Sequence, residues 1–219
     1  MTRKLTLPDG GPMHMPSDGD KLIAPSATRN CDAVCNLVAS FAAETGDALE
    51  IASGTGQHVV ALARRLPGLS WQPTDVDPMR LRSIDAYARE SGLTNILPAM
   101  ALDASAPGWA RAHGGKALVS LCNLLHLISD AEATQLLQEA AQAVGVNGHL
   151  ILYGPFMRAG ELTSEGDERF HASLQQQDPD IGYKDDFDVI DIVQAAGLDL
   201  VAAVEMPANN LGLVFTRPF

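Results

Sequence analysis

The sequence is poor in basic residues, cysteine and long apolar runs. Its 219 residues carry fifteen Lys and Arg against twenty-seven Asp and Glu, a formal net charge of −12. Such a field repels polyanions unless cations cluster, and no basic run or basic–aromatic interleaving occurs, which argues against a nucleic-acid partner. The longest apolar stretch, Ala117–Ile128, is broken by Ser120, Asn123 and His126 and is too short to span a bilayer. The first twenty residues lack the apolar core of a secretory signal. Cys31, Cys35 and Cys122 make an odd set without metal-ligand spacing, read as free thiols in a reducing, cytoplasmic compartment. Cys31 and Cys35 stand one helical turn apart, which suits two small packing residues and leaves a redox pair open.

What remains is an ordinary globular composition, 46% apolar and 19% charged, at a length that fits one domain. Residues 1–27 are punctuated by Pro8, Gly10, Gly11, Pro12, Pro16, Gly19 and Pro25 and read as a flexible lead-in or lid. A helix is expected from about Asn30 to Gly46, with Val34, Leu37, Val38 and Phe41 on one face. Strands and helices then alternate, with strands at 47–53, 69–74, 95–102, 117–122 and 149–153 and helices between them. Pro73 marks the end of the second strand or a bulge in it. Ser129 and Glu132 have capping-box spacing at the start of a helix that runs to about Val144. Residues 155–185 read as polar and irregular around a short helix near 168–176, in the position of an acceptor-site cover. After a helix at 187–196, strands 198–205 and 211–216 are joined too closely to be anything but an antiparallel hairpin. The pattern predicts an α/β domain over residues 28–219, a mostly parallel sheet with helices on both faces.

The densest chemical signal is the run from Leu49 to His58, which follows a strand and opens a helix. Gly54 and Gly56 permit a tight turn with bare backbone facing a ligand. Asp75 lies nineteen residues past Gly56 at the end of the next strand, where a carboxylate holds ribose hydroxyls; a surface turn is the plainer reading. Adenosine is shared by nicotinamide cofactors and S-adenosylmethionine. A pyrophosphate fingerprint needs a third glycine, and that position is Val59. Glu50, at the strand end, suits a sulfonium–ammonium ligand better than a diphosphate. No Tyr-x-x-x-Lys pair is present, so S-adenosylmethionine is favoured over an NAD(P)-dependent oxidoreductase. A non-catalytic S-adenosylmethionine-binding protein is the third possibility.

Glu50 through Gly56 resembles motif I of class I methyltransferases, with Ala52 in place of the usual first glycine. That resemblance implies a Rossmann-like fold of seven strands in order 3-2-1-4-5-7-6. More narrowly, the chain resembles the methyltransferase-like twenty-six family, a domain of unknown function. The matching residues are Arg29-Asn30, Ser53–His58, Trp71-Gln72-Pro73 with Asp75 and Asp77, Asn123 with His126, Tyr153–Phe156, and Met206–Asn210. Four departures fall between the fifth strand and the last helix: Gly166-Asp167, His171, Gln175 and Tyr183-Lys184. The cofactor half of the resemblance therefore transfers better than the acceptor half.

The resemblance places Asp103 against the adenine amino group and Asn123 at the methionine part or the acceptor, and a turn cap is the simpler role for Asp103. Arg29 suits the methionine carboxylate as a fork, or a surface ion pair of little worth. His126, Tyr153, Asn209 and Asn210 are expected to converge beside the methyl group, with His126 as the candidate general base. The bland alternatives are a core histidine and asparagines that hold a turn. The expected reaction is methyl transfer to an O, N or S atom of a small molecule, without a metal, nucleic acid or membrane.

Overall fold

A computed structural model describes residues 14–219. Strands β1 (Met15–Pro16) and β2 (Leu22–Ile23) form an antiparallel ribbon that leads into helix α1 (Pro25–Phe41). Pro25 occupies the first turn of α1, where its missing N–H is no loss. The helix therefore starts five residues before Asn30, because the proline that read as a breaker is its opening residue. From residue 14 the expected lead-in is folded onto the domain: Leu22 is buried and its N–H donates to Ser83 Oγ at 2.9 Å. Residues 1–13 lie outside the described residues.

The chain then alternates through β3 (Gly46–Ile51), α2 (Gln57–Arg65), β4 (Leu69–Asp75), α3 (Pro78–Ser91), β5 (Met100–Ala101), α4 (Ala110–His113) and β6 (Lys116–Cys122). It continues through α5 (Asp130–Ala143), β7 (Val144–Met157), α6 (Glu165–Gln177), β8 (Lys184–Asp185), α7 (Asp186–Ala195), β9 (Asp199–Glu205) and β10 (Asn210–Thr216). The sheet order is β5-β4-β3-β6-β7-β10-β9, with β8 paired to the end of β7. All pairings from β5 to β8 are parallel, and β10 runs antiparallel to both β7 and β9. This is the expected strand order with one short strand added.

Period-two alternation fills both faces. Leu49, Ile51, Val119, Leu121, Leu150 and Leu152 pack beneath α5 and α7, while Ala48, Trp71, Leu118 and Ile151 pack beneath α1 and α2. Ser129 accepts from the Glu132 N–H and Glu132 Oε2 from the Ser129 N–H at 2.8 Å, so the expected capping box opens α5. β4 and β5 also differ from expectation. The strand expected at 95–102 shrinks to β5 plus a single bridge between Trp71 and Ile96, since Pro98 has no N–H to give a ladder. Pro73 sits inside β4 and faces the same edge as Trp71, so its missing donor falls on this short edge strand. Among the described residues, no helix is long and apolar enough to cross a membrane.

Candidate active site

Parallel strands β3, β4, β6 and β7 deliver their C-terminal ends to one edge of the sheet, where ligands bind in open α/β folds. After β3 the chain turns through Ala52, Gly54 and Gly56 at φ 52°, 60° and 95° into α2. A Cβ on Gly56 would stand 2.8 Å from Ile84 Cα, so packing as well as conformation requires glycine there. Ala52 holds its left-handed conformation at a cost of about 1 kcal/mol.

Asp75 ties this turn to the neighbouring strand. Its Oδ2 accepts from the Gly54 N–H and its Oδ1 from the Asp77 N–H, both at 3.0 Å, with Arg80 Nη1 at 3.7 Å. The side chain is 1% exposed. Each carboxylate oxygen keeps a further acceptor position. Beside it, Val76 and Met79 are 43% and 50% exposed, an apolar surface next to a buried acid. These two residues escape a periodicity search because they belong to no core stripe; the only signal is an apolar residue directly after the acid. Asp103 is near, since the Leu102 N–H donates to the Asp75 carbonyl, but its Oδ1 accepts from the Ser105 N–H and Oγ at 3.1 and 2.6 Å as a turn cap.

The turn is stitched to the N-terminal ribbon. Ser83 Oγ accepts from the Leu22 N–H and donates to the Thr55 carbonyl at 2.7 Å. Gln57 Oε1 accepts from the Ala24 N–H and from Thr55 Oγ1 at 2.8 and 2.9 Å.

Glu50 closes β3 on the α1 side. It is 3% exposed, and Oε2 has no hydrogen-bond partner. Burial pushes its carboxyl up to about 8; Ser53 opposes this by hydrogen bonding, and the charges of Cys31 and Asp75 add to it. Asn30 sits above, with Nδ2 donating to Cys122 Sγ at 3.9 Å and Oδ1 2.9 Å from His58 Nε2. Ser120 Oγ, also buried, lacks a partner. Tyr153 faces this cluster: it lines one small cavity with Glu50, Ser120 and Cys122, and burial raises its hydroxyl pKa. Arg29 is exposed on α1, with no ion-pair partner among the described residues.

The expected acceptor wall is arranged differently. Asn123 ends β6 at φ 54°, its N–H bonded to the Tyr153 carbonyl. Three residues on, the His126 ring is 4% exposed and lies edge-on to Phe170 and Tyr183 at 5.7 and 6.1 Å. Burial, with Lys184 adding to it, pushes the imidazole down to about 3, so it stays neutral near pH 7. Asn210 Nδ2 donates to the Pro207 and Ala208 carbonyls at 2.9 and 3.3 Å, holding the hairpin turn. Asn209 Nδ2 donates to Ser164 Oγ and Asp167 Oδ2, both at 3.1 Å. His126, Tyr153 and the two asparagines therefore do not meet around one point: Tyr153 joins Glu50, and the amides serve the backbone and α6.

Residues 155–185 hold the expected short helix, as α6, and are otherwise more regular than expected, since β7 runs on to Met157 and β8 follows α6. Asp167, buried at the start of α6, accepts from Thr163 Oγ1 and Ser164 Oγ at 2.7 Å, from Asn209, and from Tyr183 OH at 3.0 Å. The Tyr183 N–H donates to His171 Nδ1 at 3.1 Å, and His171 bonds Gln175. The four departures from the family pattern thus meet in one network.

Comparison with solved structures places the fold. An O-methyltransferase family protein from Burkholderia thailandensis superposes with a TM-score of 0.75 at 19% identity, over 88% of this chain and 56% of that one. Human N-acetylserotonin methyltransferase in complex with SAM gives 0.71 at 13% identity, over 89% and 53%. An O-methyltransferase family 2 protein from Planctomyces limnophilus in complex with apigenin gives 0.72 at 15% identity, over 88% and 60%. The chain spans little more than half the length of these proteins and shares with them the Rossmann-like methyltransferase fold. A family model described as "Protein of unknown function (DUF938)" matches residues 21–217, and the chain belongs to that family.

Proposed function

We propose that the protein binds S-adenosylmethionine and transfers its methyl group to an O, N or S atom of a small molecule. The observation that carries this reading is the bond from the Gly54 N–H to Asp75 Oδ2, which sets a glycine turn beside an acid suited to ribose hydroxyls at adjoining strand ends. The surrounding residues fit the cofactor. Val76 and Met79 offer an unpacked apolar face for adenine, with Asp103 beside it. Glu50 has a buried oxygen without a partner, suited to a cationic amino-acid end, and the exposed guanidinium of Arg29 suits its carboxylate. Asn30 and Asn123 flank this end from α1 and β6. The turn at Ala52 leads the backbone past it.

The cofactor supplies a methyl group already activated on sulfur. The chain has to align the acceptor and exclude water. His126, neutral and enclosed, shapes the loop after Asn123 rather than moving a proton. The ribbon at 15–23 is read as a cover on the cofactor side, since His14 is close enough to feel the charges of Arg80, Asp77 and Asp75. Residues 155–185 are read as the cover on the acceptor side. The three free thiols fit a reducing, cytoplasmic setting, and the resemblance to methyltransferase-like twenty-six proteins names the working subfamily.

The test is transfer of labelled methyl from S-adenosylmethionine to a panel of phenols, amines and thiols. Labelled product with stoichiometric S-adenosylhomocysteine is expected. Tight cofactor binding with no transfer across the panel would favour a non-catalytic binding protein, the reading supported by the structural engagement of Asn209 and Asn210.

A further inference from the structure

Between the upper halves of α5 and α7, under the loop that precedes β8, lies a cavity of about 600 Å3. None of the glycine turn, Asp75 or Asn123 lines it, so it is distinct from the cofactor edge. Its volume falls in the range of small-molecule sites. The floor is apolar: Leu137 and Val189 are buried there, with Ile192 partly buried beside them.

The rim is acidic and only partly neutralised. Lys184 Nζ bonds Asp130 Oδ1 and the Ile128 carbonyl, both at 2.8 Å, so that cation is used. Asp185 caps α7 through the Phe187 N–H. Asp180, Asp188 and Asp191 remain without a cationic partner among the described residues. Asp188 complements the dipole of α7 in its first turn, but Asp180 and Asp191 lie outside any first turn and gain nothing that way.

We propose that this cavity is a second ligand site, selective for a small organic cation with an apolar body. The apolar part lies against Met157, Pro179 and Ile192, the lining residues that keep accessible apolar surface, and the ammonium end faces Asp180, Asp188 and Asp191. Its inner wall is Gly182, Tyr183 and Lys184, and this wall also holds the loop after β6: the Gly182 N–H donates to the His126 carbonyl at 3.1 Å and Lys184 Nζ to the Ile128 carbonyl at 2.8 Å. The assignment does not depend on the identity of the cofactor.

The test is a chemical-shift titration of the 15N-labelled full chain with 4-phenylbutylamine and, separately, 4-phenylbutanoate. The amine is expected to saturate shifts at Thr134, Gly182 and Ile192, and the carboxylate to leave them unmoved. Asp188→Asn with Asp191→Asn, both on the exposed rim, weakens the amine about fivefold, as does half-molar salt on the unmodified chain. Binding persists with S-adenosylhomocysteine at saturation. Equal affinity for the two compounds, shifts mapped elsewhere, indifference to the substitutions and to salt, or displacement by S-adenosylhomocysteine would each overturn the assignment.

Discussion

The Gly54 N–H and Asp75 Oδ2 meet at 3.0 Å across the ends of two neighbouring strands, so one carboxylate fixes the glycine turn to the next strand. Asp75→Ala leaves the Gly54 and Asp77 amides without their acceptor. It is expected to cost about 1–3 kcal/mol of stability and to abolish stabilisation by S-adenosylhomocysteine. Thermal melts with and without ligand separate the two effects. Ligand stabilisation equal to wild type would remove Asp75 from the site.

Gly56→Ala tests the turn itself. The added Cβ meets Ile84 Cα at 2.8 Å at φ 95°, where both the backbone and its neighbour resist. A loss of about 3 kcal/mol is expected in chemical denaturation, and a loss under 1 kcal/mol would mean that the turn relaxes freely.

Glu50 makes the pH dependence specific. In the folded chain its proton leaves near pH 8 and in the unfolded chain near its ordinary value of 4.5. Between those values the unfolded chain binds fewer protons, so this group lowers stability as pH rises from about 4.5 to about 8. Glu50→Gln should match wild type at pH 4 and melt higher at pH 9. Parallel pH profiles for the two proteins would contradict the burial of this carboxyl.

His126 should be silent where a histidine ordinarily titrates. Its folded pKa of about 3 lies below the unfolded value, so its stabilising effect is complete above pH 6.5 and is lost as pH falls toward 3. Imidazole carbon shifts that stay flat between pH 5 and 8 are the expected result. A midpoint near 6.5 would restore the candidate base.

Tyr183→Phe removes one donor from Asp167 and should cost about 1 kcal/mol, whereas Asp167→Ala strands several partners and should cost about 3 kcal/mol. Hydrogen exchange at 206–210 should accelerate in the second variant, because Asn209 loses its hold on α6. Unchanged exchange there would mean that the hairpin tip stands without the hub.

Local signals carried most of the fold. The strand–glycine–helix run at 49–58, the Ser129–Glu132 capping box and the close final strands are short-range patterns, and they appear as expected. What failed was longer in range. Pro25 reads as a breaker until one sees that it opens α1, and the short helix legible within 155–185 does not show that Asp167 of α6 accepts bonds from Tyr183 and Asn209. At the candidate site, spacing predicts that Gly54, Gly56 and Asp75 adjoin, since one turn and one strand end fix them, and the Gly54 N–H does bond Asp75 Oδ2. It does not show that the Tyr153 side chain stands beside Glu50 while its carbonyl accepts from the Asn123 N–H. The turn-holding alternative for the asparagines fits Asn210, whose partners are local, but the bond from Asn209 to an acid some forty residues away has no signal in the sequence.

The central claim, an S-adenosylmethionine site built on Gly54, Gly56 and Asp75, is tested most directly by titration calorimetry and melting with S-adenosylhomocysteine and NAD in parallel. S-adenosylhomocysteine should bind one per chain and, at a hundredfold excess over its Kd, stabilise by about 2.7 kcal/mol. NAD should do neither. A shift with NAD equal to or larger than that with S-adenosylhomocysteine would contradict the account.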